Sequence, residues 1–203
     1  MSFHRRALHR NIAAVLLALS VAVPASAQLP RSAPLANIAA DISAIRIDNF
    51  GRVNEHYYRG ALPEGRDFSD LAAVGVKTLV DLTDDDGDAN EKAAAEKLGM
   101  NFFKIPMSTR VQPTATELES FLKIVNNPAN QPVYVHCVGG RHRTGVMTAV
   151  YRMTQEGWTP DRAFQEMKKY KFGADFLHPE FKKFVLAFKP TAALIGAADG
   201  GAH

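Results

Sequence analysis

Short segments with strand propensity alternate with longer segments that carry helix signals, from about Asp48 to Phe188. A strand that is followed by a helix and then by another strand favours parallel pairing, with the helices covering the sheet. This alternation predicts an α/β fold with a central, mostly parallel sheet flanked by helices. In such sheets, ligands bind at the carboxyl ends of the strands. The predicted strands are HYYRG, VKTLVDL, NFFKIP and PVYVH.

Capping signals place the boundaries of the helices. Thr114 and Glu117 form a capping-box pattern, so a helix is predicted to begin directly after Thr114. Pro160, which follows Thr159, and Pro179 occupy positions typical of a first helical turn. The other predicted helices are FSDLAAVG, NEKAAAEKLG and TGVMTAVYRMTQEG, and each of them ends in glycine.

The first 27 residues have the three parts of a secretory signal peptide. Arg5, Arg6 and Arg10 make a basic start, an uncharged apolar run follows, and Ala25 and Ala27 supply the small residues of a cleavage site. The apolar run is shorter than the roughly 20 residues that a membrane-spanning helix needs. We therefore expect an exported protein, periplasmic or secreted, with no membrane span after cleavage. The adjacent basic pair also allows a twin-arginine signal, so the export route stays open.

Composition divides the remainder into three parts. Residues 28–44 are rich in Pro, Ser and Ala and are predicted to form an N-terminal arm, residues 45–190 a folded domain, and residues 191–203 a flexible tail. Without residues 1–27, 21 of the 24 basic residues remain against 21 acidic ones, so the formal net charge is zero instead of +3. This balance gives no indication of a nucleic acid partner.

The sole cysteine, Cys137, lies one residue beyond the predicted strand PVYVH, in the sequence HCVGGRHRTG. A loop between a strand and a helix turns its backbone N–H groups inward and forms an anion-binding nest, and the N-terminus of the helix adds its positive dipole. Glycines permit the left-handed backbone that such a loop requires, and an arginine at the helix start offers two parallel hydrogen bonds to a phosphate. We therefore expect phosphate to bind at the loop residues Val138, Gly139, Gly140, Arg141, His142 and Arg143.

The same surroundings favour the thiolate of Cys137 over its thiol. A thiolate that faces a bound phosphate can attack phosphorus and form a phosphocysteine intermediate, which water then hydrolyses. Thr144 is placed to bring a hydroxyl near the sulfur and to assist the second step. One cysteine forms no intramolecular disulfide, so this loop is not tied by one.

The segment HCVGGRHRTG resembles the signature H-C-x5-R-[ST]-G of the protein tyrosine phosphatase superfamily at every fixed position. HYYRGALPEG and the order of elements are similar to the compact dual-specificity branch over most of the chain. The resemblance implies a phosphatase domain over residues 45–190, with Cys137 as nucleophile, Arg143 as phosphate clamp and Thr144 as the hydroxyl beside sulfur. It also implies that His136 orders the loop. With the signal peptide, it indicates an exported bacterial member.

The sequence departs from this family at the general acid. Family members usually carry an aspartate in the loop after the strand that precedes the capped helix, whereas residues 106–113 contain no carboxylate. His142 is one substitute, either as the acid or as a second cation that faces phosphate or solvent. The acidic run DLTDDDGD, residues 81–88, is the other, either overhanging the pocket or forming a solvated turn before a helix.

We expect a cysteine-dependent phosphatase that hydrolyses phosphomonoesters without a metal ion or other cofactor, because the scattered histidines lack metal-ligand spacing. A phosphorylated protein, with phosphotyrosine first, is the expected substrate. The ending R-H-R-T-G resembles atypical phosphatases that act on inositol pyrophosphates, so a polyphosphorylated small molecule such as an inositol phosphate is the alternative. That alternative weakens if Arg141 points outward to a surface acid. A phosphate-binding module without turnover is the rival from another functional class.

Overall fold

A computed structural model describes residues 42–84, 87–174 and 176–199. The expected signal peptide, residues 28–41 of the expected arm, and Asp85 and Asp86 of the acidic run lie outside the described residues. A short 3-10 helix, Ile42–Ala44, precedes the first buried side chains, Ile45 and Ile47. In the described part of the chain, every helix is too short or too polar to span a bilayer.

Five strands form one sheet in the order β1-β2-β5-β3-β4. Strands β2 to β5 pair in parallel and confirm the four predicted strands. The sequence analysis missed β1, because its sequence GRVN has no run of apolar residues. It pairs antiparallel with β2 through a tight turn and protects that edge of the sheet. The strands are β1 (Gly51–Asn54), β2 (Tyr57–Gly60), β3 (Thr78–Asp81), β4 (Asn101–Lys104) and β5 (Val133–His136).

The predicted helices are present at the expected positions. Thr114 closes the expected capping box with Glu117, and the hydroxyl of Thr159 accepts a hydrogen bond from the backbone N–H of Arg162. The helices are α1 (Asp67–Ala73), α2 (Glu91–Lys97), α3 (Ala115–Val125), α4 (Arg143–Gln155), α5 (Pro160–Lys169), α6 (Pro179–Ala187) and α7 (Ala192–Asp199).

The structure places a helix, α7, in the segment from residue 191 that was expected to be a flexible tail. Its residues include strong helix formers, and the hydroxyl of Thr191 accepts a hydrogen bond from the backbone N–H of Leu194 at 3.4 Å. Leu194 is buried in the same core cluster as α3 and α4. Burial of an apolar side chain against the domain therefore holds this helix, although its sequence also contains small residues.

Side chains alternate between the two faces of the sheet, and each face has its own core. In β5, Val133 and Val135 face α3 to α6, whereas Tyr134 faces α1 and α2. Helix α4 lies in the larger core, and its residues from Arg143 to Met153 are all buried. A helix that is buried on all sides is typical of the centre of a domain. The loop that leads into α4 therefore has a rigid support on both sides.

The parallel strands are in register, so their carboxyl ends lie in one row. Gly60, His136, Asp81 and Lys104 occupy equivalent positions in β2, β5, β3 and β4. This row forms the edge at which α/β sheets bind their ligands. Cys137 follows His136 directly and therefore lies just beyond the row.

Candidate active site

The loop from Cys137 to the start of α4 forms the floor of an open cavity of about 360 Å³. Cys137 is 3% exposed, and its side chain belongs to the core on the α4 side of the sheet. The lining residues are Thr109, Cys137, Val138, Gly139, Arg141, His142 and Arg143. The structure thus brings most of the predicted site residues together, while Gly140 and Thr144 are buried beside this group.

The carbonyl groups of this loop are hydrogen-bonded to the protein around it. The backbone N–H of Leu62 donates to the carbonyl of Val138 at 3.2 Å. The side-chain amide of Asn49 donates to the carbonyls of Gly139 and Gly140 at 3.3 and 3.1 Å. Arg59 Nη2 also donates to the Gly140 carbonyl, at 2.7 Å. These bonds turn the carbonyls away from the cavity.

The amides of the same loop are left for a ligand. None of the five backbone N–H groups of residues 138–142 donates to a described residue. The N-terminus of α4, a helix of 13 residues, opens at the same place. Convergent N–H groups and a helix N-terminus together stabilise an oxyanion. The loop is therefore built as an anion-binding nest.

Gly140 is required at the closest approach of this loop to the sheet. Its φ of +62° lies in the left-handed region, where a side chain is unfavourable. A Cβ at this position would also collide with the backbone carbonyl of Gly60 at the end of β2. The predicted need for glycine in this loop is thus explained by both conformation and space.

Arg143 and Thr144 begin α4 and are buried beside Cys137. Arg143 Nη1 donates to the carbonyl of Met107 at 3.3 Å, which fixes the guanidinium against the loop after β4. The hydroxyl of Thr144 is fully buried and has no hydrogen-bond partner within the described residues. Both side chains lie at the start of α4 next to the loop, and their roles as phosphate clamp and as a hydroxyl near sulfur stay predictions.

Arg141 forms an ion pair with a surface acid. Its guanidinium lies 3.5 Å from Asp48, which also pairs with Lys171 at 2.5 Å. The hydrogen bond from Lys171 lowers the pKa of Asp48, so this carboxylate stays charged at neutral pH. Asp48 therefore neutralises part of the basic character of the loop and is a poor proton donor.

His142 is packed against a second histidine. Its ring lies 3.6 Å from that of His178, centre to centre, and its Nε2 is 3.0 Å from the carbonyl of Phe172. Burial lowers the pKa of His142, and the charge of His178 lowers it further. At neutral pH His142 is therefore mainly neutral, with Nε2 directed at Phe172 and Nδ1 as its other exchange site.

The acidic run does not reach the cavity in its described part. Asp81 is buried and accepts hydrogen bonds from the backbone and hydroxyl of Thr83, while its carboxylate pairs with Lys104 at 3.1 Å. Asp84 and Asp88 are exposed and do not line the cavity. Asp88 accepts hydrogen bonds from Asn90 in the turn before α2. The described part thus matches a turn before a helix, and Asp85 and Asp86 lie outside the described residues.

Asp81 belongs to a buried charge cluster behind the loop. Glu91 of α2 lies 2.5 Å from Nε2 of His136, and both side chains are fully buried. The polar atoms of Asp81, Glu91 and His136 lie within 4.8 Å of one another. Because the ammonium of Lys104 and the donors of Thr83 already balance Asp81, we assign this cluster as an ion-pair network. His136 of this cluster lies directly before Cys137, and its expected role in ordering the loop stays a prediction.

Three residues that contact the loop were missed in the sequence. Asn49 and Arg59 hold the loop carbonyls, and His178 packs on His142. Arg59 had a readable signal, because an arginine alternates with Tyr57 on the inward face of a predicted strand. Asn49 and His178 lie in connecting segments that have no period, so the sequence offered no comparable signal for them.

Comparisons with known proteins agree with this geometry. A family model described as a DSP-PTPase phosphatase fused to NAD+ kinase matches residues 32–183. The inositol diphosphatase SIW14 of Saccharomyces cerevisiae is 29% identical over 62% of this chain and 46% of its own length. The dual specificity protein phosphatase TpbA of Pseudomonas aeruginosa is 30% identical over 62% of this chain and 56% of its own length. The matched region thus spans about half the length of these two relatives.

Solved structures share the fold. The catalytic domain of SIW14 matches with a TM-score of 0.65 and 24% identity, over 76% of this chain and 93% of that chain. TpbA matches with a TM-score of 0.61 and 25% identity, over 77% of this chain and 92% of that chain. The match to the family model over most of the domain, together with the anion-binding loop around Cys137, shows that this chain belongs to the dual-specificity-like family of cysteine phosphatases in the protein tyrosine phosphatase superfamily.

Proposed function

We propose that this protein hydrolyses phosphomonoesters by nucleophilic catalysis at Cys137. The observation that carries the proposal is the set of loop amides at residues 138–142, all unpaired with described residues, above a buried thiol. Amides that converge on a phosphate stabilise the charge that develops on its oxygens in the transition state. Arg143 supplies the positive charge at the same place.

In the first step, the Cys137 thiolate attacks phosphorus, a sulfur–phosphorus bond forms, and the bond from phosphorus to the ester oxygen breaks. The leaving alkoxide or phenoxide receives a proton. In the second step, water attacks phosphorus and the sulfur–phosphorus bond breaks, which releases inorganic phosphate and restores the thiolate. The proposal gives Thr144, whose buried hydroxyl has no hydrogen-bond partner within the described residues, the role of a hydrogen-bond donor to the departing sulfur.

The test is turnover of p-nitrophenyl phosphate by the full chain and by Cys137→Ser. Its leaving group is good, so the rate depends little on a general acid. We expect turnover by the wild type and none by the variant, while the variant still binds orthovanadate. If the wild type binds orthovanadate but never turns over substrate, the protein is a phosphate-binding module.

A phosphorylated protein with phosphotyrosine is the substrate class that we propose first. TpbA has been crystallised with phosphotyrosine, and SIW14 is described as an inositol diphosphatase, so relatives of both kinds exist. The pairing of Arg141 with Asp48 reduces the positive charge that would attract a polyphosphate. Initial rates on a phosphotyrosine peptide and on an inositol pyrophosphate, measured side by side, test this order. Faster turnover of the pyrophosphate would reverse it.

For the general acid we propose the protonated form of His142, which keeps Nε2–H on the Phe172 carbonyl and gives its Nδ1 proton to the leaving group. Apart from the nucleophile Cys137, it is the one lining residue of the described cavity whose side chain can both accept and donate a proton near neutral pH. His142→Ala should then slow phenyl phosphate, with its poor leaving group, much more than p-nitrophenyl phosphate. If both substrates slow equally, the proton comes from another group, and Asp85→Asn and Asp86→Asn become the next variants to compare.

We also propose that residues 1–27 direct export and that residues 45–190 form the phosphatase domain. The basic, apolar and small-residue regions of the N-terminal segment support the first part. Fractionation of cells that express the full chain and a chain lacking residues 2–27 tests it. Export is expected for the full chain only, and retention of both in the cytoplasm would contradict it.

A further inference from the structure

Arg59 lies on the same side of the sheet as the nucleophile, one position below it. In the parallel register, Arg59 of β2 is opposite Val135 of β5, and Cys137 follows two residues later. Side chains two residues apart on a strand point to the same face, and opposite residues in a parallel pair do so as well. The Arg59 guanidinium is therefore directed into the space beneath the anion-binding loop.

This arginine is fully buried, with an exposed fraction of 0%. Its guanidinium stacks on the ring of Tyr170 at 3.9 Å, and Nη2 donates to the Gly140 carbonyl at 2.7 Å. Within the described residues, Nε and Nη1 have no hydrogen-bond acceptor, and no carboxylate forms an ion pair with the group. Buried arginines are ordinarily paired, because an isolated charge inside a protein is strongly unfavourable.

The acid near Arg59 is already committed to another arginine. Glu166 of α5 holds Arg152 through two hydrogen bonds, of 2.7 and 3.2 Å. Burial lowers the pKa of Arg59, and the charges of Tyr57, Glu166, Tyr170 and Cys137 oppose that shift. Cys137 is the active-site group among these electrostatic partners, and Arg59 forms no ion pair with Glu166.

We propose that Arg59 is a positioning residue for the phosphatase reaction: it holds the Gly140 carbonyl away from the cavity and supplies a buried positive charge beneath the Cys137 thiolate and the bound phosphate. This inference rests on the proposed function of the loop. The hydrogen bond to the Gly140 carbonyl keeps the loop amides turned toward the substrate. The positive charge of Arg59 acts from the protein side of the loop, where water does not weaken the electrostatic interaction.

Other charged groups face the same thiol, so the contribution of Arg59 must be separated from theirs. Arg141, His142 and Arg143 line the cavity from the loop and α4, and His136 with Glu91 lies on the opposite face of the sheet. None of these contacts involves Arg59. A substitution of Arg59 therefore removes none of these charged side chains from the cavity.

The experiment uses the pH dependence of alkylation by iodoacetamide. Because Cys137 is the sole cysteine, the alkylation rate of the full chain reports one thiol, whether or not the protein turns over substrate. The variants are Arg59→Met, which removes the charge, and Arg59→Lys, which keeps it. Arg152→Met and Arg152→Lys are matched controls, since Arg152 is also buried and also stacks on a ring, that of Trp158.

We expect Arg59→Met to raise the midpoint of alkylation by about one pH unit. Inhibition by inorganic phosphate should weaken about tenfold in the same variant. Arg59→Lys should keep a midpoint near that of the wild type, and both Arg152 variants should leave it unchanged. An unchanged midpoint in Arg59→Met, or an equal change in Arg152→Met, would overturn the proposal. If the wild type does not turn over p-nitrophenyl phosphate but the alkylation midpoints change as expected, the proposed function is overturned and the inference about Arg59 is not.

A measurement on the wild type covers the case in which Arg59→Met does not fold. In the ¹⁵N-labelled full chain, the Nε–H resonance of Arg59 should shift when inorganic phosphate is added and again when Cys137 is alkylated. The Arg152 resonance should stay in place. If the Arg59 resonance does not respond to either treatment, the guanidinium does not act on the anion site and the inference is wrong.

Discussion

The two ends of helix α4 hold buried arginines in opposite electrostatic settings. At the C-terminal end, Arg152 pairs with Glu156 at 2.6 Å and with Glu166 at 2.7 Å, and it stacks on Trp158. Next to the loop that enters the N-terminal end, Arg59 of β2 stacks on Tyr170 in the same way, but no described carboxylate pairs with it. Similar side chains with similar aromatic contacts therefore have different counter-charges.

The helix dipole increases this contrast. Its negative end favours the cation at Arg152, while its positive end adds to the cations around Cys137. The C-terminal end is thus neutralised within the fold and contributes to stability. The N-terminal end keeps an excess of positive potential. Such an excess favours the binding of an anion at this end. Stability and phosphate chemistry are therefore separated along one helix.

Arg143→Lys should produce the largest effect and is the strongest test of the N-terminal end. Lysine keeps the charge but loses the planar pair of donors that matches two phosphate oxygens. We expect kcat/KM for p-nitrophenyl phosphate to fall by about 10²–10³. Steady-state kinetics with a thermal melt as a folding control measure this. Near-normal kinetics would mean that a positive charge at this end is sufficient for catalysis and that the paired donors of the guanidinium are not needed.

A pair of glycine substitutions compares the backbone at the two ends. Gly140, before α4, and Gly157, after it, both have left-handed φ values, of +62° and +63°. Alanine at 157 meets only open space, so Gly157→Ala should cost about 1–2 kcal/mol of unfolding free energy and no activity. Gly140→Ala adds a collision with Gly60 and displaces the loop, so kcat/KM should fall about a hundredfold.

Urea unfolding and steady-state kinetics on both glycine variants provide the measurement. The comparison fails if Gly157→Ala loses as much activity as Gly140→Ala. It also fails if Gly140→Ala keeps full activity, because the loop would then not depend on its approach to β2.

Arg152→Met tests the C-terminal end. The substitution leaves Glu156 and Glu166 partly buried without their cation, so we expect unfolding to become easier by about 3 kcal/mol. Because these groups do not line the cavity, kcat/KM should change less than about twofold. Chemical denaturation paired with kinetics gives both values. A loss of activity in the folded variant would show that the two ends of α4 are coupled.

The smallest expected effect is a pH dependence of stability at the N-terminal end. Burial and His178 lower the pKa of His142 below its ordinary value of 6.5, so the folded state resists protonation more than the unfolded state. Its contribution to stability is complete above about pH 6.5 and is lost as the pH falls through the lowered folded pKa. Melting temperatures of the wild type and His142→Gln between pH 5 and 8 test this. The difference between the two proteins should narrow with rising acidity, and a constant difference would contradict the assignment.

Much of the fold was predictable because its signals are local. The capping box at Thr114, the Thr159–Pro160 pair and the β-branched strands each depend on a few adjacent residues. Strand β1 was not predictable in this way, because its four residues have no apolar run and are held by pairing with β2. Helix α7 was missed because its burial through Leu194 depends on the surface that α3 and α4 present to it.

The candidate site also has a part that local sequence signals predict and a part that depends on distant residues. The positions of Cys137, Arg143 and Thr144 were predictable, since one loop carries all three. The partners that set the properties of this loop lie far away in the sequence. Arg59 is 81 residues from Gly140, and Asp48 is 93 residues from Arg141. The tertiary fold brings such groups together, and no local pattern in the sequence contains that information.

The bonds to the carbonyls of the phosphate loop have a consequence for the entropy of binding. Leu62, Asn49 and Arg59 order this loop when the domain folds, so the loss of backbone freedom is part of the folding equilibrium. An oxyanion then meets amides that are already oriented and needs to order little of the chain. Affinity for small oxyanions should therefore depend mainly on their shape and charge. Inorganic phosphate, the product of the proposed reaction, should compete with substrate for the same ordered loop.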